Sequence, residues 1–581
     1  MTNKFFIFFF LLKFILLEIK NQFYLLFNKF KFYKNHNLLN YFGHKFLHRK
    51  LLFKNKDIDK FLKKNIQITK QEKPKNFKKN KILVELLLPH HSEPMIMNCL
   101  IAKDLQKLCE SQIVALINKD DLLTKKIAES FGIKNFIYLN KNNFLKNIYY
   151  FILALKLVDY NDIEKKIIKL KFSGYEVGKA ALENYLRWHN NDLNMKDKFL
   201  LFLFLSRSIL TVNDAKSIFK ENYKFFVMGE LQFIPNKLLF HCSLKSKTAV
   251  YCNFGTSIID FIGRLYKNYK DRNSVQLKFS KKFSNLLIKI FKNKSLISII
   301  KKKGGISNIG KEIVWSNTQN IKTIKFQSKN KFYKYFHFDK NKKTVLILPH
   351  AMSDNLFNNE WNVFDTAYDW YYQTIKKISQ IDNVNWLIKP HPYEYKFPGV
   401  TARDIFEKIK KNKTNVEFID EGLHVDKIYK FIDLVITGNG SAGYQYTALG
   451  IPTITTSDTK YSNFNFTLAP RNQNEYFSLL KKIDEIPKPS KAMIKKAQIY
   501  WLTNLNILYN SHNLLPKIKQ HGFFKKELFF KKISQVKIVR YKKNSFSEDL
   551  LIQMKNKNRH SINSLFYKKN SKKYNFKLND I

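Results

Sequence analysis

Two separate series of alternating strand and helix patterns constrain the fold of this 581-residue chain more than any other feature. The first series begins at residues 82–88, an apolar run that ends at Pro89, and the second begins at Thr344. The strands predicted for the first series are residues 82–88, 112–117, 135–139, 225–228 and 248–253. Those predicted for the second are residues 344–348, 384–388, 416–419, 434–437 and 452–456. Such alternation is typical of α/β proteins with doubly wound parallel sheets.

The sequence therefore predicts two Rossmann-like domains with basic extensions at both ends. Helices are expected between the strands of the second series, at residues 362–378, 403–411, 425–431 and 442–449. The expected parts are an N-terminal extension (1–80), a first domain (81–270), a linker or insertion (271–341), a second domain (342–484) and a helical, Lys-rich tail (485–581).

The formal net charge of +57 raises the question of an anionic partner. Nearly all of the positive charge comes from Lys, whereas recognition of bases and phosphates in nucleic acids favours the planar fork of Arg. We therefore expect no nucleic-acid partner. An anionic membrane surface or an acidic polysaccharide needs only a diffuse positive field and fits the charge at least as well.

The four cysteines give no sign of a metal or disulfide framework. They are Cys99, Cys109, Cys242 and Cys252, none at CxxC spacing. Reduced thiols in the cytoplasm are the expected state, and we predict no metal site.

The N-terminus carries an apolar run at residues 5–17 that Lys13 interrupts. It is too short and too interrupted to predict a membrane span. Two interpretations stay open: a helix at the membrane surface, at the inner face of the cytoplasmic membrane, and a leader that packs on the fold.

A glycine-rich loop directly follows the buried strand predicted at residues 434–437. Its residues Gly438, Asn439, Gly440 and Ser441 lead straight into a predicted helix. Glycines allow a ligand to approach the backbone, and the helix start offers free N–H groups. Ser441 is expected to cap the helix and to donate to a phosphate oxygen. The alternative is an ordinary Gly-rich turn with a capping serine.

A second loop, Lys389-Pro-His391-Pro392, leaves the strand predicted at residues 384–388. The prolines stiffen the backbone and aim the two polar side chains, which are candidates to bind a leaving phosphate. The alternative is a rigid surface loop with a solvated histidine. Two further loops, 349–355 with Asp354 and 420–422 with Asp420, are candidates for sugar or nucleotide contacts, although a solvated turn is favoured for the second.

These motifs resemble a group of bacterial surface- and capsular-polysaccharide glycosyltransferases of GT-B type. The resemblance covers residues 344–480 and is carried by residues 389–392, 437–443, 448–452, 461–462 and 474–477. That group includes Kdo-transferase-like and polysialyltransferase-like enzymes, in which a His-Pro motif and a Ser-containing loop hold a nucleotide. The resemblance implies that the second domain binds a nucleotide-sugar donor. It also implies that the first domain binds a polysaccharide or glycolipid acceptor.

One position departs from the pattern of similar proteins. They often carry Glu in the helix after the Gly-Ser loop, where it accepts hydrogen bonds from ribose hydroxyls, and here that position is Gln445. An amide still accepts from one hydroxyl but lacks the charge.

The loop after the first strand supplies the candidates for acceptor activation. In a two-domain glycosyltransferase the segment Pro89-His-His91-Ser-Glu93 would face the donor, and Glu93 or His91 would serve as the base. The alternative is a turn whose histidines have no role.

The expected function is transfer of a sugar to a surface glycan, with His391 assisting catalysis and no cofactor beyond the nucleotide-sugar substrate. Three alternatives stay open: a non-catalytic relative in a polysaccharide-assembly complex, a glycerophosphate-type transferase and a nucleotide-sugar epimerase.

Overall fold

A computed structural model gives the fold of the chain. It describes residues 3–26, 56–70, 80–87, 92–118, 121–139, 143–188, 197–255, 260–273, 278–292, 294–302, 322–352, 362–391, 394, 400–409, 415–420, 423–507, 510–512, 526–536, 545–557 and 559–575.

The chain divides into two compact units. The first comprises Met1–Tyr185, Leu193–Arg272 and Asn510–Lys555, and the second comprises Leu186–Asp192, Asn273–Tyr509 and Asn556–Ile581. The C-terminal part of the chain thus contributes first to one unit and then to the other.

Up to residue 272 the helices alternate with the strands of one sheet. The helices are α1 (Asn3–Leu26), α2 (Lys56–Lys70), α3 (Ser92–Cys109), α4 (Leu122–Ser130), α5 (Phe144–Leu157), α6 (Ile163–Lys166), α7 (Val177–Trp188), α8 (Lys198–Ile218) and α9 (Asn236–Lys245). The strands are β1 (Asn80–Glu85), β2 (Ser111–Asn118), β3 (Asn135–Leu139), β4 (Tyr223–Met228), β5 (Ala249–Gly255) and β6 (Asp260–Tyr266).

From residue 273 onward the chain forms a second alternating series and then, at Asn510–Lys555, returns to the first unit. Its helices are α10 (Lys281–Phe291), α11 (Leu296–Lys302), α12 (Lys329–Tyr335), α13 (Ala367–Ile378), α14 (Ala402–Ile409), α15 (Ala442–Ala448), α16 (Gln473–Lys481), α17 (Lys491–Asn506), α18 (Lys526–Ser534), α19 (Ser545–Lys555) and α20 (Ser564–Ser571). Its strands are β7 (Lys322–Ile324), β8 (Lys343–Leu348), β9 (Val384–Ile388), β10 (Val416–Phe418), β11 (Leu423–Val425), β12 (Leu434–Thr437), β13 (Thr453–Thr455) and β14 (Asn510–Ser511).

Both units contain a sheet with the same strand order. In the first unit the order is β14-β6-β5-β4-β1-β2-β3, in which β1 to β5 pair in parallel and β6 and β14 pair antiparallel. In the second unit the order is β10-β9-β8-β12-β13, with every pair parallel. Counted along the chain, each parallel set therefore runs 3-2-1-4-5. This is the doubly wound order of Rossmann-type sheets, and the predicted fold class is confirmed.

The central strands are buried on both faces, as parallel sheets covered by helices require. Ile82, Leu83 and Val84 of β1 have no exposed surface, and neither do Val345 and Ile347 of β8. This explains why these strands appear in the sequence as continuous apolar runs rather than as alternating patterns.

The apolar run at residues 5–17 belongs to α1, which packs on the first unit along one side. Phe14 is buried and stacks on Phe151 of α5 with ring centroids 4.2 Å apart, whereas Phe8 is 66% exposed. Packing on the fold is therefore observed, and contact with a membrane surface stays a prediction. Among the residues that the structure describes, no helix is both long enough and apolar enough to cross a membrane.

Two segments of the second unit differ from their predicted structure. The segment 271–341, expected as a linker or insertion, contains α10, α11, β7 and α12, and from Asn273 onward it clusters with the second unit. The helix predicted at 425–431 is wrong. Leu423–Val425 form β11, which pairs with β7, and Ile428–Phe431 form only a 3₁₀ turn. The pairing of β11 with a strand 101 residues earlier overrides a local pattern that suggested a helix.

The first unit contains a buried ion pair that allows a direct test of its packing. Lys237 Nζ of α9 lies 2.8 Å from Glu183 Oε2 of α7, and the side chains are only 9% and 1% exposed. We expect Lys237→Met to lower the free energy of unfolding by about 3–5 kcal/mol, because it leaves a buried carboxylate without its cation. Chemical denaturation of the full chain measures the loss.

The matched control for this prediction is the exposed pair Lys81–Glu221 of the same unit. Its side chains are 42% and 50% exposed, and its atoms are 2.6 Å apart. Lys81→Met should cost about 0–1 kcal/mol, because solvent screens the pair. Equal losses for the two variants would contradict the assignment of Lys237 and Glu183 to the core.

Candidate functional site

The candidate site lies where the strand order of the second sheet reverses. Strand β8 lies between β9 and β12, so the chain leaves β8 toward one side of the sheet and later returns on the other side. Ligands of doubly wound proteins bind beyond the carboxyl ends of the strands at such a reversal. Leu348 pairs with Thr437 at the ends of β8 and β12, and the Thr437 hydroxyl donates to the Leu348 carbonyl at 3.3 Å. The loops after β8 and β12 therefore start side by side.

A histidine after β8 holds the backbone of the glycine-rich loop after β12. The N–H of Asn439 donates to Nε2 of His350 at 2.8 Å. This bond requires an unprotonated Nε2, so the imidazole is neutral with its proton on Nδ1. The ring also lies edge-on to Trp370 of α13, with centroids 6.3 Å apart. The position of His350 is thus set by packing on one side and by the loop on the other.

A tyrosine after β13 supports the same loop from the opposite direction. The buried Tyr461 hydroxyl donates to the Gly440 carbonyl at 2.9 Å. Burial raises the pKa of Tyr461, so the hydroxyl stays protonated and remains a donor. The loop after β13 is joined a second time by the bond from the Thr456 N–H to the Gly438 carbonyl, at 3.3 Å.

Close packing of Tyr461 explains why Gly443 must be glycine. A Cβ built on Gly443 would lie 2.0 Å from the Tyr461 hydroxyl oxygen and 2.7 Å from its Cζ. Only a residue without a side chain lets α15 approach Tyr461 this closely.

Ser441 does not cap α15, which corrects one prediction. Its backbone is helical (φ −60°, ψ −22°), and its hydroxyl makes no capping hydrogen bond. A capping side chain needs an extended backbone at that position. Helix α15 spans only 7 residues, and the Ser441 side chain is exposed. The hydroxyl is therefore directed to solvent rather than to the helix.

The Lys389 and His391 loop follows β9, the neighbour of β8 on the other side. The Lys389 N–H donates to the Ile347 carbonyl at 3.1 Å, which holds the start of this loop against β8. His391 is half-buried, and its carbonyl accepts from the Glu394 N–H at 2.9 Å. Strands β9 and β12 are both neighbours of β8, so their axes are roughly 10 Å apart. Pro392 lies outside the described residues.

The three remaining candidates for donor contacts differ in where the structure places them. Gln445 is half-buried in α15, one turn after Ser441. Asp354 lies outside the described residues. Asp420 is 72% exposed and forms an ion pair with Arg403 at 2.6 Å, so it occupies the solvated turn that the sequence favoured.

Of the two acceptor-side candidates, the structure describes only Glu93. Glu93 belongs to the first turn of α3, which begins at Ser92. His91 lies outside the described residues. Among the residues that the structure describes, no group of three or more His, Cys, Asp or Glu side chains is arranged to hold a metal ion. The four cysteines are free thiols.

Sequence reasoning missed two supports of the site. Glu394 is buried, and its carboxylate accepts from the Ala402 N–H at 2.5 Å, which connects the His391 loop to the start of α14. The role of His350 was also missed, because Asp354 was taken as the candidate ligand-binding residue of the loop after β8. The position of His350 could have indicated this role, because it lies two residues after a strand that was correctly predicted.

Comparison with known proteins finds similarity only among solved structures. No protein-family model and no curated protein sequence matches the chain. A β-Kdo 2,4-transferase, KpsC of Thermosulfurimonas dismutans, is 10% identical with a TM-score of 0.29, covering 50% of this chain and 82% of that chain. MnaA of S. aureus, solved with UDP, is 10% identical with a TM-score of 0.26, covering 82% of this chain and 96% of that chain.

A third similar structure is the spinosyn rhamnosyltransferase SpnG complexed with thymidine diphosphate. It is 10% identical with a TM-score of 0.23, covering 74% of this chain and 96% of that chain. TM-scores below 0.5 are too low to define a shared fold. The class of this protein therefore rests on its own strand order and loops: an α/β protein of two units, each with a Rossmann-type sheet, and with a glycine-rich loop at the strand reversal of the second.

Proposed function

We propose that the protein is a glycosyltransferase that moves a sugar from a nucleotide-sugar donor to a surface glycan. The observation that carries the proposal is the loop Gly438–Ser441 at the strand reversal of the second sheet. Hydrogen bonds from Asn439 to His350 and from Tyr461 to Gly440 hold this loop from two sides. A loop fixed before the ligand arrives loses little freedom on binding, which favours affinity.

The chemistry of this loop suits a donor phosphate. Gly440 and Ser441 present backbone without bulky side chains, and the exposed Ser441 hydroxyl makes no bond to its own helix. A hydroxyl and backbone N–H groups are ordinary phosphate ligands. Because Ser441 is not used as a cap, its proton is available to a phosphate oxygen without cost to α15.

Lys389 and His391 are proposed to stabilise the leaving phosphate from the other side of β8. Negative charge grows on the nucleotide phosphate as the glycosidic bond breaks, and fixed donors at that point lower the barrier. A span of roughly 10 Å between the axes of β9 and β12 leaves room for a phosphate or diphosphate between the two loops. Neither loop requires a cofactor for this role.

Glu93 and His91 remain the proposed bases for the acceptor hydroxyl. Glu93 lies in the first turn of a helix that follows β1, the strand of the first unit equivalent to β8. A carboxylate there would take the proton from the attacking hydroxyl. The polysaccharide or glycolipid nature of the acceptor is part of the same proposal.

Gln445 supports one rival, a non-catalytic relative. A neutral amide in α15 holds ribose hydroxyls less strongly than a carboxylate would. The rival would retain the fold without nucleotide affinity. Titration calorimetry separates the two proposals, because only a donor-binding protein should release heat with a nucleotide.

The test is calorimetry of the full chain with CMP, UDP, GDP and CDP in turn. We expect one of the four to bind with a micromolar Kd, and Ser441→Asp to weaken that binding at least tenfold, because it places a negative charge beside the phosphate. The matched control is Ser478→Asp, an exposed serine of α16 in the same unit, which should bind as the unaltered chain does. Absence of binding for all four nucleotides would refute the proposed donor site.

A further inference from the structure

The loop after β13 buries two hydroxyl groups that we name the hydroxyl pair, those of Thr456 and Ser457. The two residues are only 0% and 4% exposed, and among the residues that the structure describes neither hydroxyl has a hydrogen-bond partner. A hydroxyl that loses water without gaining another partner destabilises the fold, and few buried polar groups of native proteins remain in that state. Two such groups on consecutive residues therefore indicate a partner that is not part of the chain.

The neighbouring polar side chains of this stretch do have partners. The Thr455 hydroxyl lies 3.1 Å from that of Thr467. Asp458 forms an ion pair with Lys278, and its second carboxylate oxygen accepts from Ser462 Oγ at 2.9 Å. The charge of Asp458 is thus balanced within the second unit. The missing partners are confined to two adjacent residues of a loop that is otherwise well connected.

The hydroxyl pair lies beside the glycine-rich loop. The Thr456 N–H donates to the Gly438 carbonyl at 3.3 Å. Farther along the loop after β13, the Thr459 hydroxyl lies beside that of Tyr461, which donates to the Gly440 carbonyl at 2.9 Å. Strand β13 neighbours β12 on the side away from β8, and neighbouring strands are about 5 Å apart. The hydroxyl pair therefore adjoins the proposed phosphate site on the side opposite to β9.

We propose that Thr456 and Ser457 bind a second phosphate group, so that the donor is a nucleoside diphosphate sugar rather than a nucleoside monophosphate sugar. This inference rests on the proposed donor site: the loop Gly438–Ser441 takes one phosphate, and the hydroxyl pair beside it takes the other. Each O–H group would donate to an oxygen of the second phosphate, which is a strong acceptor. A rotation about χ1 redirects each hydroxyl while the backbone stays in place.

The charge of the loop agrees with a phosphate ligand. Lys460 follows the hydroxyl pair and is half-buried, while the carboxylate of Asp458 is paired with Lys278. A phosphate that leaves water needs hydrogen-bond donors and positive charge nearby. A nucleoside monophosphate would fill only the site at Gly438–Ser441 and would leave the hydroxyl pair without a partner.

The first experiment is calorimetry of the full chain with matched nucleotides: UDP and UMP, GDP and GMP, CDP and CMP. For the base that binds, we expect the diphosphate to bind at least tenfold more tightly than the monophosphate. Equal affinity for both members of a pair would overturn this inference and leave the proposed donor site standing. No binding of any of the six would refute the donor site and the inference with it.

A double variant assigns the preference to the hydroxyl pair. Thr456→Val/Ser457→Ala removes both hydroxyls with little change of shape. We expect its preference for the diphosphate to fall below threefold, while its affinity for the monophosphate stays that of the unaltered chain. The matched control is Thr455→Val, which removes a hydroxyl that faces Thr467 and should keep the full preference.

Denaturant unfolding of the same variants gives an independent readout. Because the hydroxyl pair has no partner in the free protein, the double variant should be at least as stable as the unaltered chain. The control Thr455→Val should be less stable, since it breaks a buried hydrogen bond.

Three results from the double variant would overturn the inference. A retained preference for the diphosphate would show that the hydroxyl pair does not contact the second phosphate. A loss of stability would show that the two hydroxyls have partners within the chain. Weaker binding of a nucleotide sugar, with unchanged binding of both free nucleotides, would assign the loop to the sugar instead.

Discussion

Replacing His391 by alanine is expected to lower kcat for sugar transfer roughly 10²–10³-fold, the loss typical of removing one donor from a developing negative charge. Donor affinity should change much less, because the proposed contact strengthens only as the phosphate departs. The measurements are kcat by product formation and donor Kd by calorimetry, once a nucleotide has been identified. Circular dichroism must show that the variant folds.

Ser441→Ala should produce the opposite pattern. It removes a hydrogen bond to the bound phosphate and should weaken donor affinity by roughly 1–3 kcal/mol. Because Ser441 makes no capping bond in the free protein, α15 itself should lose no stability. The double variant with His391→Ala should fall short of the additive loss, since both residues are proposed to act on one ligand.

Asp420→Asn is the matched control for both variants. Asp420 also follows a strand of this sheet, but its carboxylate is exposed and paired with Arg403. We expect unchanged kcat and affinity. If well-folded His391→Ala and Ser441→Ala variants also behave as the unaltered chain does, the two loops are structural and the proposed donor site is wrong.

Gly443→Ala is expected to have the second large effect, through the geometry of the loop rather than through a ligand contact. The new Cβ would lie 2.0 Å from the Tyr461 hydroxyl oxygen, so α15 or Tyr461 must move. Overpacking of this kind costs about 1–3 kcal/mol of stability. Movement of Tyr461 also breaks its bond to the Gly440 carbonyl, so donor affinity should fall at least tenfold.

Two comparisons separate this steric effect from a general intolerance of the loop. A Cβ on Gly440 meets its nearest neighbour, the Thr437 hydroxyl, at 3.0 Å, so Gly440→Ala should destabilise the chain less than Gly443→Ala in denaturant unfolding. Tyr461→Phe removes the atom that the Gly443 Cβ would strike first, and Gly443→Ala should cost less in that background. Equal losses in both backgrounds would show that Tyr461 is not the obstacle.

The parallel strands of both sheets were predictable because their signal is local, whereas the antiparallel strands β6 and β14 of the first sheet were missed. Val345, Leu346 and Ile347 form a continuous apolar run that burial on both faces requires, and the start of the second series at Thr344 was one residue from its observed position. The loops that follow these strands were found for the same reason. A glycine-rich or proline-stiffened segment directly after a strand is visible without knowledge of any other part of the chain.

Structure that depends on a distant partner was not predictable from local patterns. Residues 425–431 suggested a helix, but β11 forms because β7 offers backbone partners 101 residues earlier. Serine is a preferred residue at the N-cap of a helix, yet the backbone of Ser441 is already helical and the cap does not form. In both cases a propensity of well under 1 kcal/mol per residue is overridden by tertiary contacts.

The sequence alone determined that the chain forms two series of parallel strands and that Gly438–Ser441 and Lys389–His391 follow two strands of the second. Only the tertiary structure decided what holds the glycine-rich loop, because His350 lies 89 residues before Asn439 and Tyr461 lies 21 residues after Gly440. Only the structure showed which side of α1 packs on the protein, since the helix is apolar on both sides and its periodicity does not distinguish them. Hydrogen bonds and packing between residues far apart in the chain leave no periodic trace in the sequence, whereas burial of a strand does.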